Sequence, residues 1–131
     1  MSTIQIIYFM CLSIQLNLTE FKNIPVTATC FNAVEQQTDD TPLITAFGYE
    51  IDAKHPFKHK YIAVSRDLLT HFSAGDTVLV SGTFVYDGLW IVADKMNKKY
   101  CNRIDFLVPL DSYQHVFKAS IMKYHGQFNH L

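Results

Sequence analysis

Asp94 and Asp105 stand eleven residues apart, each against an apolar run: Asp94 closes Leu89 to Ala93, and Asp105 sits between Ile104 and Phe106-Leu107-Val108. Aspartate is depleted in strands and costly to bury without a partner, so two in such settings mark a candidate site. Carboxylates that share a site shift each other's pKa, and that is how one comes to act as an acid while its neighbour stays ionised. The plain alternative is that both are turn or strand-end residues facing water. Either way, each belongs at the end, or on one face, of a half-buried strand.

Other residue types offer less. The three cysteines, Cys11, Cys30 and Cys101, have none of the close spacings of a zinc or redox site. Cys30 and Cys101 would form an even pair if an N-terminal segment were removed on export; isolated thiols are the other reading. His55 and His59 are four apart, as in a helical ligand pair, but Pro56 between them opposes a helix and points to solvated loop histidines. The sequence therefore implies no metal and no cofactor. Trp90, the only tryptophan, is read as core, with a sugar-stacking face as the alternative.

The elements that must position the aspartates are short and β-rich. Val26 to Phe31 alternates in polarity and is rich in β-branched residues, Leu43 to Phe47 stops at Gly48, and Tyr61 to Val64 is apolar. Thr77 to Gly82 follows the turn Gly75-Asp76, the Asp87-Gly88 hairpin signal opens Leu89 to Ala93, and Arg103 to Val108 comes last. Ser65 or Asp67 is placed to cap one helical turn, Lys95 to Asn102 reads as a polar loop or one helical turn, and Ser112 to Tyr124 as a C-terminal helix. Some six short strands punctuated by Gly and Pro predict a small all-β barrel or sandwich. A closed barrel is favoured because the strands lack edge-protecting Lys or Pro patterns.

At 131 residues the chain fits one domain with a core of its own. The expected organisation is an apolar N-terminal segment over 1–23, the β domain over 24–110, and a C-terminal tail over 111–131. A net charge of −1, with Lys and Arg scattered, gives no footprint for a nucleic-acid partner. Ten Phe and seven Tyr suit either a β-rich core or a carbohydrate-stacking surface. Ile4 to Leu18 is too short and too interrupted by Gln5, Gln15 and Asn17 to span a bilayer. It is read as an atypical export signal or as an ordinary first element, since no basic residue precedes it and no A-x-A follows.

In order along the chain, Thr27-Ala28-Thr29-Cys30-Phe31, Thr45-Ala46-Phe47-Gly48, Ile62 to Leu69, Gly75-Asp76-Thr77-Val78, Gly88 to Asp94 and Asn102-Arg103-Ile104-Asp105 resemble the three-aspartate (3D) domain. That domain is the double-psi β-barrel of the membrane-bound lytic transglycosylase A and resuscitation-factor type. The resemblance covers Val26 to Val108 and implies a six-stranded double-psi β-barrel with short helical turns. Two aspartates match. Ser65 stands where the first is expected, with Asp67 two residues on, and the usually glycine-rich loop between the other two is here Lys95 to Cys101.

The resemblance implies a lytic transglycosylase acting on peptidoglycan glycan strands, in an exported, periplasmic or cell-envelope location, as a monomer. Asp105 would be the acid/base, and one carboxyl group suffices because the sugar's own 6-hydroxyl is the nucleophile. Asp94 would raise the pKa of Asp105 or stabilise positive charge on the sugar ring. Thr29 would donate to sugar, with a plain strand residue as the alternative. Lys98, Lys99 and Arg103 would meet peptide-stem carboxylates, with solvated loop cations as the alternative. The runner-up function is a non-catalytic glycan-binding or wall-loosening module of expansin type, and a third is an interaction domain that keeps only the barrel.

Overall fold

The computed structural model describes residues 22–32, 43–52, 54–109 and 111–126. Cys11, the polar loop expected over 35–42 and nearly all of the expected N-terminal segment lie outside them. The strands are β1 (Ile24–Phe31), β2 (Leu43–Ile44), β3 (Glu50–Ile51), β4 (Tyr61–Val64), β5 (Thr77–Ser81), β6 (Gly88–Lys95), β7 (Arg103–Leu107) and β8 (Phe117–Lys123). The helical content described is two 3-10 turns, Pro56–Lys58 and Arg66–Thr70.

Six strands close a barrel in the order β1-β7-β4-β6-β5-β8, while β2 and β3 form a separate hairpin. β1 pairs β7 in parallel and β4 pairs β6 in parallel; the remaining neighbours are antiparallel. Exchanging β1, β4 and β5 for β6, β7 and β8 leaves this order unchanged and maps one parallel pair onto the other. The barrel thus has two-fold related halves, an arrangement compatible with a double-psi barrel.

Alternation builds the interior. Val26 and Ala28 from β1, Ile62 and Val64 from β4, Val78 and Val80 from β5, Trp90 and Val92 from β6, Ile104 and Phe106 from β7, and Ala119 and Ile121 from β8 are buried in one core. Trp90 is only 1% exposed and donates its indole N–H to the Tyr86 carbonyl at 2.8 Å, so it belongs to the core and offers no face to a sugar. The β5–β6 turn is tied by Asp87, whose carboxylate accepts from both the amide and the hydroxyl of Thr83, at 2.8 and 2.7 Å.

Two expectations change. Ser112 to Tyr124 holds no helix. Phe117, Ala119 and Ile121 alternate with Lys118 and Ser120, and the two-residue period wins, making β8 the strand that closes the barrel between β1 and β5. Leu43 to Phe47 gives only β2, outside the barrel, because the chain turns back at Thr45 to Gly48 and Gly48 takes a φ of 86°. The β2–β3 hairpin packs Leu43 and Ile51 with Leu107, Phe31 and Tyr61 on the barrel's outer surface. Among the described residues no helix is long and apolar enough to cross a membrane.

Candidate functional site

Four strands bring the site together in one lateral row. Thr29 is in register with Asp105 across β1 and β7, Asp105 with Ala63 across β7 and β4, and Ala63 with Asp94 across β4 and β6. Residues in register on neighbouring strands project to the same face. Here that face is the outside of the barrel, since Ile104, Phe106, Ile62 and Val64 point inward.

Asp94 reaches this face through a β-bulge. Strict alternation from Trp90 and Val92 would aim Asp94 into the core. Between Ile62 and Ala63 the register slips, so that Ile62 faces Val92 while Ala63 faces Asp94, and the extra residue Ala93 turns the aspartate outward. Bulges commonly re-aim a side chain in this way beside functional sites.

Asp94 and Asp105 line one groove of about 280 Å³, with Ala63 between them, the hairpin residues Leu43 to Thr45 and Ile51 at one side, and Lys95 to Asn97 and Tyr100 also lining it. Among the described residues no group of three or more His, Cys, Asp or Glu is arranged to hold a metal ion. The ionisable side chains that line the groove are Asp94, Asp105, Lys95 and Tyr100.

Burial pushes the Asp105 carboxyl above the ordinary aspartate range, because the charged form loses water. The Thr29 hydrogen bond and the Arg103 charge oppose that rise, and the Asp94 charge adds to it. Thr29 Oγ1 donates to Asp105 Oδ1 at 2.7 Å, while Arg103 Nε donates to Thr29 Oγ1 at 3.3 Å. An N–H donor fixes the hydroxyl as acceptor on that side, so the hydroxyl's own proton goes to Asp105. Among the described residues the side-chain hydrogen bond to Asp105 falls on Oδ1, and no partner is found for Oδ2.

Asp94 is held by its backbone surroundings. Its Oδ1 accepts the Ala46 and Lys95 amides, both at 2.9 Å. Ala46 sits in the turn of the β2–β3 hairpin, so this carboxylate also pins the hairpin to the barrel.

The remaining sequence-derived residues separate. Thr29 is engaged with Asp105 and Arg103. Arg103 stacks its guanidinium 4.7 Å from the Tyr100 ring centroid and lines a neighbouring hollow that it shares with Thr29. Lys98 is exposed in the Asn97–Tyr100 turn and does not line the groove. Lys99 places its ammonium 5.1 Å from the Tyr100 ring centroid. Cys30 and Cys101 are free thiols. His59 accepts the Asp52 amide and stacks on Tyr61, as a loop residue.

Sequence reasoning missed Ala63, the small floor of the groove, and Tyr100, which neither polarity nor spacing marks. It also left open what Ser65 does where an aspartate was expected. Ser65 is fully buried; its hydroxyl accepts the Arg103 amide at 3.0 Å, and its hydrogen bond to Asp67 holds that carboxyl below its usual range. Asp67 Oδ2 in turn accepts the Asn102 amide at 2.9 Å. Serine and aspartate together hold two successive amides at the start of β7, where Asn102 takes a left-handed φ of 48°. The loop before it contains no glycine; asparagine supplies the tight conformation.

No protein family, curated protein or solved structure matches the chain.

Proposed function

We propose that the groove binds a glycan strand of peptidoglycan and that Asp105 cleaves it as a lytic transglycosylase would. The observation that carries this reading is one open groove lined by two carboxylates in unlike settings: Asp105 pushed up by burial with Oδ2 free, and Asp94 fixed by two amides with its charge acting on Asp105. Asp105 Oδ2 gives its proton to the glycosidic oxygen as the C1–O bond breaks. The Asp94 carboxylate stabilises the positive charge that develops on the ring. Asp105, now ionised, takes the proton from the sugar's 6-hydroxyl as that oxygen bonds to C1, leaving an anhydro end and the acid restored. Thr29 holds Oδ1 throughout, which keeps Oδ2 aimed outward. This function puts the protein at the cell envelope, as a monomer whose groove needs no second copy.

The second reading, a glycan-binding module that does not cleave, is favoured by one feature. The Thr29 hydrogen bond and the Arg103 charge both stabilise ionised Asp105, the form that cannot donate. Purified sacculi incubated with the protein and separated by centrifugation distinguish the readings. Anhydro-ended fragments in the supernatant support cleavage, and protein in the pellet without such fragments supports the binding module. Protein that neither pellets nor releases fragments leaves the barrel as an interaction scaffold.

A further inference from the structure

Arg103 extends away from the groove into an adjoining open hollow of about 370 Å³ lined by Thr29, Cys30, Arg103, Gln114, His115 and Val116. Its Nε is used by Thr29, and the guanidinium plane is steadied by Tyr100. Among the described residues, neither terminal nitrogen has a hydrogen-bond or carboxylate partner. The His115 ring is held between Tyr113 and Phe117, with centroids 5.7 and 5.0 Å away. The lining thus gathers the Arg103 guanidinium, the Gln114 carboxamide, whose nitrogen donates to Asn32 Oδ1 at 3.4 Å, and the His115 ring, with no acidic side chain.

We propose that this hollow is an anion subsite that takes a carboxylate group of the ligand whose sugar chain lies in the neighbouring groove, with the Arg103 fork as its main contact. The proposal rests on the glycan-binding reading and deepens it by naming the charged part of the ligand and where it docks. A planar guanidinium matches a carboxylate through two parallel N–H donors, a geometry that a lysine at this place would not supply. Arg103 also couples the subsite to the groove. Its charge is one of the influences holding the Asp105 carboxyl down, and a bound carboxylate neutralises that charge. The other groups that act on Asp105 are Asp94 from β6 and Thr29 from β1; Cys30 is within its electrostatic reach, and Lys95 and Tyr100 line the same groove. Seating the anion therefore favours protonated Asp105, so the ligand itself helps to prepare the acid.

The test uses isotope-labelled protein titrated with a peptidoglycan tetrasaccharide whose peptide stems carry free carboxylates, and with the same compound fully amidated. The free acid is expected to bind about tenfold more tightly, the scale of one charge-assisted forked contact. It should also perturb the Gln114 and His115 amide signals, which the amidated compound leaves in place. Arg103→Gln should erase the difference. The double variant Gln114→Ala/His115→Ala, in an exposed segment, should reduce it if the arginine variant fails to fold. Equal affinity of acid and amide overturns the subsite while leaving the groove reading intact. If neither compound binds, the groove reading fails and acetate alone decides the subsite. Shifts at Gln114 and His115 that vanish in Arg103→Gln uphold it, and their absence overturns it.

Discussion

Asp94 and Asp105 never pair with each other: each is in register with Ala63, one from either side of β4. Two strand spacings separate their backbones by roughly 10 Å, and the methyl group between them leaves the groove open. The carboxylates therefore share a field without sharing a hydrogen bond. One is pushed up by burial and the other holds the hairpin's turn.

Ala63 is the residue to fill. Ala63→Leu places a branched side chain on the floor between the carboxylates. Glycan affinity should fall by on the order of tenfold or more, equivalent to about 1.4 kcal/mol, while strain from overpacking costs about 1–3 kcal/mol of stability. Sedimentation with sacculi and a denaturation curve measure the two effects. Undiminished binding would place the ligand elsewhere on the barrel.

The Asp105 carboxyl is raised by folding, so the folded chain holds that proton more tightly than the unfolded one. Its contribution to stability is fully present below the unfolded pKa and is lost as pH rises through the folded pKa. Asp105→Asn removes the buried charge and keeps an acceptor for Thr29. The variant should be more stable than the parent at neutral pH, with the gap closing in acid. Thermal melts across that pH range check it, and a variant less stable at neutral pH would contradict the assignment of burial as the dominant influence.

Opposite pH shifts are expected from the two neighbours. If protonated Asp105 is required, activity falls as pH rises through its pKa. Asp94→Asn removes a charge that raises that pKa and should move the fall to lower pH. Thr29→Val removes a hydrogen bond that lowers it and should move the fall to higher pH. Rate profiles of the two variants should bracket the parent's. A common direction would mean that another group limits the reaction.

Ser65→Ala leaves the Arg103 amide without its acceptor and Asp67 without its hydroxyl donor. The expected cost is about 1–3 kcal/mol in chemical denaturation, the range for an unsatisfied buried donor. Circular dichroism under denaturant reads it, and a neutral effect would show that water replaces the hydroxyl there.

The barrel was legible in the sequence through alternation, as in Val26 to Phe31 and Thr77 to Ser81, where polarity and burial follow the same period. Six strands close the barrel as the sequence predicts, but the sixth is Phe117–Lys123 and not Leu43 to Phe47. Leu43 to Phe47 is apolar but turns back after two paired residues, while Phe117 to Lys123 has its alternation diluted by lysines at both ends of a mixed run. Asp105 is legible only as a residue at the end or on one face of a half-buried strand, because the run Phe106-Leu107-Val108 after it is apolar and buried throughout and gives no alternation to fix its side. The orientation of Asp94 depends on a bulge, which shifts the pairing without leaving a mark in residue type. Ala63 acquires its role only from its position between two distant strands, and the role of Ser65 depends on Asp67 and Asn102 together.

The most direct measurement is mass spectrometry of peptidoglycan digested by the parent protein and by Asp105→Asn. The parent should release fragments with anhydro-sugar ends, and the variant should release them more slowly by a factor on the order of 10² or more while still sedimenting with sacculi. Anhydro ends released equally by both proteins, or by neither, would contradict Asp105 as the acid of a glycan-cleaving groove.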